Sequence, residues 1–167
     1  MKKICLAISM ALATSMAWAE QRYEVAESID VSAAAGEVWE AVKGFDNLHG
    51  WHPAFSNTEI TEGDATLRGA IRVLTVGDNV GTVKETLTAY DPDDMSLSYV
   101  INSTDIAPVK DYASTIKVLG VSDSLSLVIW SGNFLSNPKE GDSDESTQEF
   151  IVGVYKAGLE NLKKMME

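Results

Sequence analysis

Alternation of apolar and polar residues dominates the chain between residues 23 and 134 and predicts a β-rich protein. A first strand is predicted at Tyr23–Val31. Turn residues separate several of the strands that follow, so consecutive strands are expected to be antiparallel neighbours. The six further strands are predicted at Ser56–Thr61, Ala70–Val76, Gly81–Tyr90, Leu97–Asn102, Tyr112–Leu119 and Leu125–Phe134.

Two short helices are predicted directly after the first strand. Val38, Trp39 and Val42 give the first one an apolar stripe, and the pattern predicts a cap at Ser32 or a neighbouring residue. Phe45–Trp51 predicts the second helix, which Pro53 stops because the residue before a proline is pushed towards extended geometry.

The last part of the chain predicts one long helix. Ser146 with Glu149 three residues later matches the capping-box pattern, which indicates that the helix begins there. Small residues at Gly153, Ala157 and Gly158 are expected to stop helix and sheet from closing fully, which would leave a cavity. The predicted apolar face contains Ile151, Val154, Tyr155, Gly158, Leu159, Leu162 and Met166.

This order of elements predicts an α+β fold. One strongly curved antiparallel sheet of about seven strands would wrap around the long C-terminal helix, because the sheet is the only apolar surface available to that helix. The pattern contains no internal repeat and no linker, so residues 20–167 are expected to form a single domain.

The first nineteen residues have the features of a signal peptide. Lys2 and Lys3 precede the mainly apolar stretch Ile4–Ala13, and Ala17-Trp18-Ala19 has the small-x-small pattern at which signal peptidase cuts. Cleavage before Glu20 would give a periplasmic or secreted protein with no membrane span. The mature chain would contain no thiol, because Cys5 is the single cysteine of the sequence.

Charge narrows the choice of partners. Without Lys2 and Lys3, 11 basic residues face 25 acidic ones, a formal charge of −14. Nucleic acid and anionic membranes are poor partners for such a surface. Two interpretations stay open, namely contact with a basic protein and an acidic surface that only maintains solubility.

Glu85 is the most informative single residue, because alternation places it on the same strand face as Val83 and Leu87. A buried acid is paired, protonated or exposed inside a cavity. One interpretation is a structural pair with Arg68, Arg72 or a tyrosine hydroxyl, and the other is a group that lines a binding pocket. Three further polar groups could project into the same hollow or simply pack in the core: Tyr99, Tyr112 and Ser114.

Seven segments together resemble the helix-grip superfamily of START, polyketide cyclase and Bet v 1-like proteins, also called SRPBCC proteins. Within it the chain is most similar to exported MxaD-like proteins, which are found with bacterial periplasmic methanol oxidation. The resemblance covers nearly the whole mature chain. It rests on Val38-Trp39, Phe45–Leu48, Trp51-His52-Pro53, Gly69–Arg72, Asp111-Tyr112, Trp130–Phe134 and Gly153–Leu159.

The resemblance implies a ligand cavity between sheet and terminal helix, with Trp51 and His52 near its mouth. It also adds Trp130 and Tyr155 to the candidate cavity residues. Plant hormone receptors of the same superfamily have a ligand-facing Glu that resembles Glu85. Their ligand-pairing lysine would fall at about Ser56, so capture of a carboxylic acid by that device is not expected.

Metal and catalytic sites have weaker support in the sequence. Asp46, His49 and His52 have a spacing that could hold a metal, but the segment is short, and no metal or cofactor is expected. The acidic run Glu140–Glu145 lacks a calcium-loop register. Ser131 lacks a nucleophile elbow, so Glu85 with Tyr112 is the remaining acid–base pair that an enzyme could use.

These observations predict an exported protein that binds a small apolar or amphipathic molecule. The resemblance implies a further role as an accessory protein of periplasmic methanol oxidation, with a basic dehydrogenase or cytochrome as its partner. An interaction module that acts without ligand and a cyclase- or hydrolase-like enzyme are the alternatives.

Overall fold

The structure is a computed structural model that describes residues 20–167, so the predicted signal peptide lies outside the described residues and stays a prediction. The strands are β1 (Arg22–Val31), β2 (Phe55–Glu62), β3 (Ile71–Val76), β4 (Gly81–Asp91), β5 (Ser96–Thr104), β6 (Val109–Ser122) and β7 (Leu125–Ser136). The α-helices are α1 (Ala35–Val42) and α2 (Asp144–Met166). All six strand pairings are antiparallel, in the order β1-β7-β6-β5-β4-β3-β2.

The predicted helix-grip fold is confirmed, since the curved sheet grips the long helix α2. Alternation along each central strand puts one face on the core, as in β4, where Val83, Glu85 and Leu87 are buried. Register shifts interrupt three of the six strand pairings, and such bulges bend a strand and increase its twist.

One bulge decides which residues of β6 face the core. Pairing with β7 shifts between Lys110 and Ala113, and Asp111 has a positive φ of 46°. Because the bulge adds one residue, Val109 and Tyr112 are both buried although they are three positions apart, while Asp111 is exposed. Arg22 on β1 holds the bulge by donating to the Asp111 carbonyl at 2.9 Å.

The connection from β1 to β2 corrects two predictions about short helices. The helix α1 is present, but its N-cap is Ala34, which makes no side-chain hydrogen bond. The backbone N–H of Ser32 instead donates to Glu167 at the end of α2. The second predicted helix shrinks to one 3₁₀ turn, Leu48–Gly50, because this segment is too short to propagate a helix before Pro53.

The helix α2 begins earlier than predicted. Its cap is Ser143, whose side chain accepts from the Ser146 N–H while the Ser146 side chain accepts from the Ser143 N–H. The capping box therefore uses Ser146 as its second member, and Glu149 has no part in it. Within residues 20–167, neither helix is long and apolar enough to cross a membrane. The face that α2 buries against the sheet comprises Thr147, Ile151, Tyr155, Gly158, Leu159 and Leu162.

Candidate functional site

An apolar cavity of about 170 Å³ lies between the sheet and the first half of α2. Glu85 is the only charged side chain among the described residues that line it. Phe150 lines the cavity and is also 38% exposed, so the hollow reaches the surface beside this ring. The lining residues are Leu48, Ala54, Phe55, Val76, Val83, Glu85, Tyr99, Ile101, Ile106, Ala107, Tyr112, Trp130, Phe150, Ile151 and Val154.

Glu85 forms a buried ion pair with Arg72 on the neighbouring strand. The two residues face each other in the β3–β4 register, and Arg72 Nε donates to Glu85 Oε2 at 2.7 Å. The side chain of Arg72 is 2% exposed and that of Glu85 is 5% exposed. Of the partners considered from the sequence, the structure therefore selects Arg72, and it also places Glu85 in the cavity wall.

The guanidinium of Arg72 lies against two aromatic rings. Its Cζ lies 4.2 Å from the ring centre of Phe45 and 4.9 Å from that of Tyr99, and Nη1 donates to the Phe45 carbonyl at 2.9 Å. Such cation–π contacts partly replace the water that a buried cation loses. Burial raises the pKa of Glu85 above its ordinary value, and the charge of Arg72 opposes that shift.

Four hydroxyl groups and one indole form a hydrogen-bond network behind the cavity wall. Ser114 Oγ donates to the Ser131 carbonyl at 2.8 Å, so its contact with Tyr155 OH at 3.0 Å uses the tyrosine proton. Tyr112 OH must then donate to Tyr155 OH at 2.6 Å. Each hydroxyl has one proton, so every donor in this chain of hydrogen bonds is fixed. Tyr112 donates to Tyr155, Tyr155 donates to Ser114, and Ser114 donates to the backbone carbonyl of Ser131.

The indole of Trp130 completes this network. Its Nε1 donates to Ser114 Oγ at 2.9 Å and to Tyr99 OH at 3.0 Å. Gly132 makes room for the network, since a Cβ there would collide with the hydroxyl of Tyr155. Burial raises the pKa of Tyr112 well above its usual value and that of Tyr155 to about 12, so both hydroxyls stay protonated at neutral pH.

His52 lies outside the cavity wall, packed under the second half of α2. Its Nε2 donates to the Val154 carbonyl at 2.9 Å, and its Nδ1 accepts from the Ala54 N–H at 3.1 Å. Both ring nitrogens are therefore occupied in the neutral form, and burial lowers the pKa of His52 to about 4. Within residues 20–167 no group of three metal-ligating side chains is assembled.

Gly158 lets the second half of α2 approach the sheet. A Cβ at this position would lie 2.5 Å from Cδ2 of His52 and 2.9 Å from the ring of Trp130. The expectation that Gly158 keeps helix and sheet apart is therefore wrong, because its missing side chain allows closure. We call Phe150, Ile151 and Val154 the hollow half of α2, and Tyr155, Gly158 and Leu159 the packed half.

The eight candidate residues from the sequence fall into two groups. Glu85, Tyr99, Tyr112 and Trp130 line the cavity. The others lie outside its lining: Ser114 and Tyr155 support the wall by hydrogen bonds, whereas Trp51 and His52 pack against Trp130.

Sequence reasoning missed most of the apolar lining. The loop residues Ile106 and Ala107 close one side of the hollow, although no strand or helix pattern includes them. Phe150 lies just outside the predicted apolar face of the long helix. The one feature of the sequence that could have indicated its place in the cavity wall is that it is aromatic. Loop residues become neighbours of a helix only through the tertiary fold.

A larger hollow of about 380 Å³ lies on the opposite side of the sheet but has a different character. It is an open trough whose lining includes Glu24, Thr88, Ser98, Thr115 and Asn133. These polar side chains occupy the strand positions that alternate with the buried ones, as expected for the outer face of a sheet. The smaller, apolar cavity is therefore the better candidate for a small-molecule site.

A family model described as "Polyketide cyclase / dehydrase and lipid transport" matches residues 22–167. A curated relative, MLP-like protein 423 from Arabidopsis thaliana, is 30% identical over 144 residues, which cover 81% of this chain and 91% of the relative. The match to the family model therefore covers every described strand and helix of the structure.

Solved structures with the same fold come from several bacteria. The protein XoxI from Bacillus cereus is 29% identical with a TM-score of 0.76, and the alignment covers 86% of this chain and 94% of XoxI. The Zhui aromatase/cyclase from Streptomyces sp. R1128 has a TM-score of 0.70 over 87% of this chain and 94% of that one. At 15% identity, this second likeness shows the fold alone.

Proposed function

Because the chain belongs to the polyketide cyclase/dehydrase and lipid transport family, we propose that it binds a small apolar or amphipathic molecule between the sheet and α2. The observation that carries the proposal is an apolar cavity of about 170 Å³ in whose wall Glu85 is the one charged group among the described residues. Pockets for small molecules combine apolar walls with a few polar groups that orient the ligand.

The experiment is a binding titration that compares a filled and an enlarged cavity. Val154 lines the hollow, so Val154→Phe should fill part of it, whereas Val154→Ala should widen it at the same position. We expect a ring-sized apolar probe such as 1,4-dimethylbenzene to bind the wild type and Val154→Ala and to bind Val154→Phe at least tenfold more weakly, roughly the effect of losing a filled apolar site. Equal binding to all three proteins would refute the proposed site.

Native mass spectrometry of the protein from its own cells addresses the natural ligand. We expect a bound small molecule in the wild type and less of it in Val154→Phe. A chain that is recovered empty in repeated preparations would contradict the binding function. The same spectra measure the N-terminus, and we propose a mature chain that begins at Glu20 after export.

We also propose a second, compatible function as an accessory protein for a basic periplasmic partner. The mature chain would have a formal charge of −14, and complementary charge speeds and orients protein association. The resemblance to MxaD-like proteins suggests a dehydrogenase or cytochrome of methanol oxidation. Association should weaken with added salt and persist in Val154→Phe, whereas salt-independent association would contradict the electrostatic mechanism.

A further inference from the structure

The polar atoms that remain free in the cavity wall define the chemistry of the ligand. Glu85 Oε2 is occupied by Arg72, and within residues 20–167 no hydrogen bond reaches Glu85 Oε1. The cavity therefore has one carboxylate oxygen that can accept a hydrogen bond. Hydrogen bonds to a charged acceptor are stronger than those between neutral groups, so a ligand that leaves this oxygen unpaired loses affinity.

The positive member of the pair is turned away from the cavity. Arg72 does not line it, and the Nη2 atom of Arg72 is buried without a hydrogen-bond partner among the described residues. The guanidinium contacts the rings of Phe45 and Tyr99 instead. A ligand in the cavity thus meets the acid of the ion pair and not its base, which disfavours a ligand carboxylate.

The hydroxyl of Tyr99 is a second polar group in the cavity wall, and unlike Glu85 it can donate a hydrogen bond. It accepts the indole N–H of Trp130 and has one proton of its own. Ser114, the cross-strand partner of Tyr99, already accepts from Tyr155 and Trp130 through its Oγ, so this proton is available to a ligand. Tyr99 and Glu85 lie diagonally across β4 and β5, since Leu87 is the partner of Tyr99 and Ile101 that of Glu85. Diagonal neighbours on one sheet face are within reach of the same small group.

The volume limits the size of the ligand. An enclosed apolar cavity of about 150 Å³ holds a benzene molecule, and the hollow here measures about 170 Å³. The enclosed part of a ligand is then about one ring. Tyr112 and Trp130 give the walls flat aromatic surfaces suited to a planar ring.

We infer that the cavity selects a neutral hydroxylated ring, with the ligand hydroxyl donating to Glu85 Oε1 and accepting from the hydroxyl of Tyr99. The inference rests on the proposed binding function and adds the chemical class of the ligand. A hydroxyl group satisfies both protein groups at once. A carboxylate would repel Glu85, and a hydrocarbon would leave both groups unpaired.

Three probes of equal heavy-atom count test this inference by calorimetric titration. The first, 4-methylphenol, both donates and accepts; methoxybenzene only accepts; and 1,4-dimethylbenzene does neither. We expect Glu85→Gln to weaken 4-methylphenol binding by about tenfold or more, the effect of losing a hydrogen bond to a charged group. The affinity for 1,4-dimethylbenzene should change by less than about twofold, since no hydrogen bond is lost.

Two further variants separate ligand recognition from damage to the fold. Glu59→Gln removes an exposed acid from β2 and should leave all three affinities unchanged. The double variant Arg72→Met with Glu85→Leu removes the whole ion pair without leaving a buried charge, and it should also lose the preference for 4-methylphenol. Tyr99→Phe should weaken 4-methylphenol and methoxybenzene but not 1,4-dimethylbenzene.

The outcomes distinguish the inference from the function on which it rests. If 1,4-dimethylbenzene and 4-methylphenol bind equally, and Glu85→Gln shifts both alike, the hydroxyl preference is wrong while the cavity remains a binding site. Tighter binding of benzoate than of 4-methylphenol at neutral pH would overturn the inference as well. If no probe binds the wild type, the proposed function itself fails.

Discussion

The hollow half and the packed half of α2 lie over the same sheet but differ in what occupies the space beneath the helix. Under the packed half, His52 and Trp130 fill the place that a side chain at Gly158 would take. Under the hollow half, Phe150, Ile151 and Val154 leave a cavity of about 170 Å³. The missing side chain at Gly158 thus lets helix and sheet close at one end, whereas a cavity remains at the other end.

The buried polar groups beneath the two halves of α2 also differ in whether all of their hydrogen bonds are made. In the packed half, each ring nitrogen of His52 has a hydrogen-bond partner, and Tyr155 both accepts and donates through its hydroxyl. Beneath the hollow half, Glu85 Oε1 accepts no hydrogen bond from the described residues, and the proton of the Tyr99 hydroxyl remains available to a ligand. Because an unpaired buried polar group costs free energy, the difference indicates that the first set maintains the fold and the second awaits a ligand.

Breaking the ion pair between Arg72 and Glu85, beneath the hollow half, should have the largest effect on stability. Glu85→Leu leaves Arg72 charged and buried, which we expect to lower the free energy of unfolding by about 4 kcal/mol. The double variant Arg72→Met with Glu85→Leu should recover to within about 1 kcal/mol of the wild type, since no buried charge remains. Urea denaturation at neutral pH measures both. A double variant as unstable as the single one would show that the pair has a packing role beyond its charges.

Acid should destabilise the folded protein through His52, which lies beneath the packed half. The unfolded chain takes up a proton near the ordinary histidine pKa of 6.5, whereas the folded chain does so only near pH 4. Stability is therefore lost as the pH falls from 6.5 to 4, by up to about 3 kcal/mol. Unfolding free energies measured at pH 7.5 and 4.5 should show this loss in the wild type.

Variants of the two histidines of this chain isolate the effect. His52→Gln should remove that part of the acid destabilisation, while His49→Gln, which changes an exposed side chain, should retain it. Glu85 titrates with the opposite sign because its folded pKa is raised, but it is common to all three proteins and cancels in the comparison. Identical acid profiles for the three proteins would contradict the assignment to His52.

Gly158→Ala should open the packed half. The added Cβ would meet His52 and Trp130, and the cost of overpacking exceeds the gain in helix propensity, so we expect a loss of about 2 kcal/mol. Gly153→Ala is the matched control on the same helix, because its Cβ would have no neighbour within 4 Å. That variant should gain about 0.5–1 kcal/mol from helix propensity alone. Two variants that shift thermal unfolding equally would refute the close packing at Gly158.

The smallest effect should come from the hydroxyl that begins the network. Tyr112→Phe removes the donor to Tyr155 and should cost about 1 kcal/mol. Tyr155→Phe removes both an acceptor and a donor and should cost more, because it leaves Tyr112 and Ser114 without that partner. Thermal unfolding of the two variants ranks them, and a larger cost for Tyr112→Phe would reverse the inferred donor direction.

Local pattern predicted most of the fold because each element carries its own period. The alternation of β4 placed Glu85 on the core face, and the face of α2 that contains Ile151, Tyr155 and Leu159 followed from helical spacing. Boundaries were less accurate, as the caps at Ala34 and Ser143 show. A cap depends on which backbone groups stay unpaired at the helix end, and several neighbouring serines could serve.

The sequence by itself determined that an acid would lie inside a sheet gripping a terminal helix, and it identified the family. Only the tertiary structure decided that Arg72 is its partner, that Gly158 closes the interface, and that the bulge at Asp111 puts Val109 on the same face as Tyr112. The physical reason is the range of the interactions. Alternation and helical period are properties of neighbouring residues, whereas ion pairs, close contacts and cavities depend on strands and helices that meet only after folding.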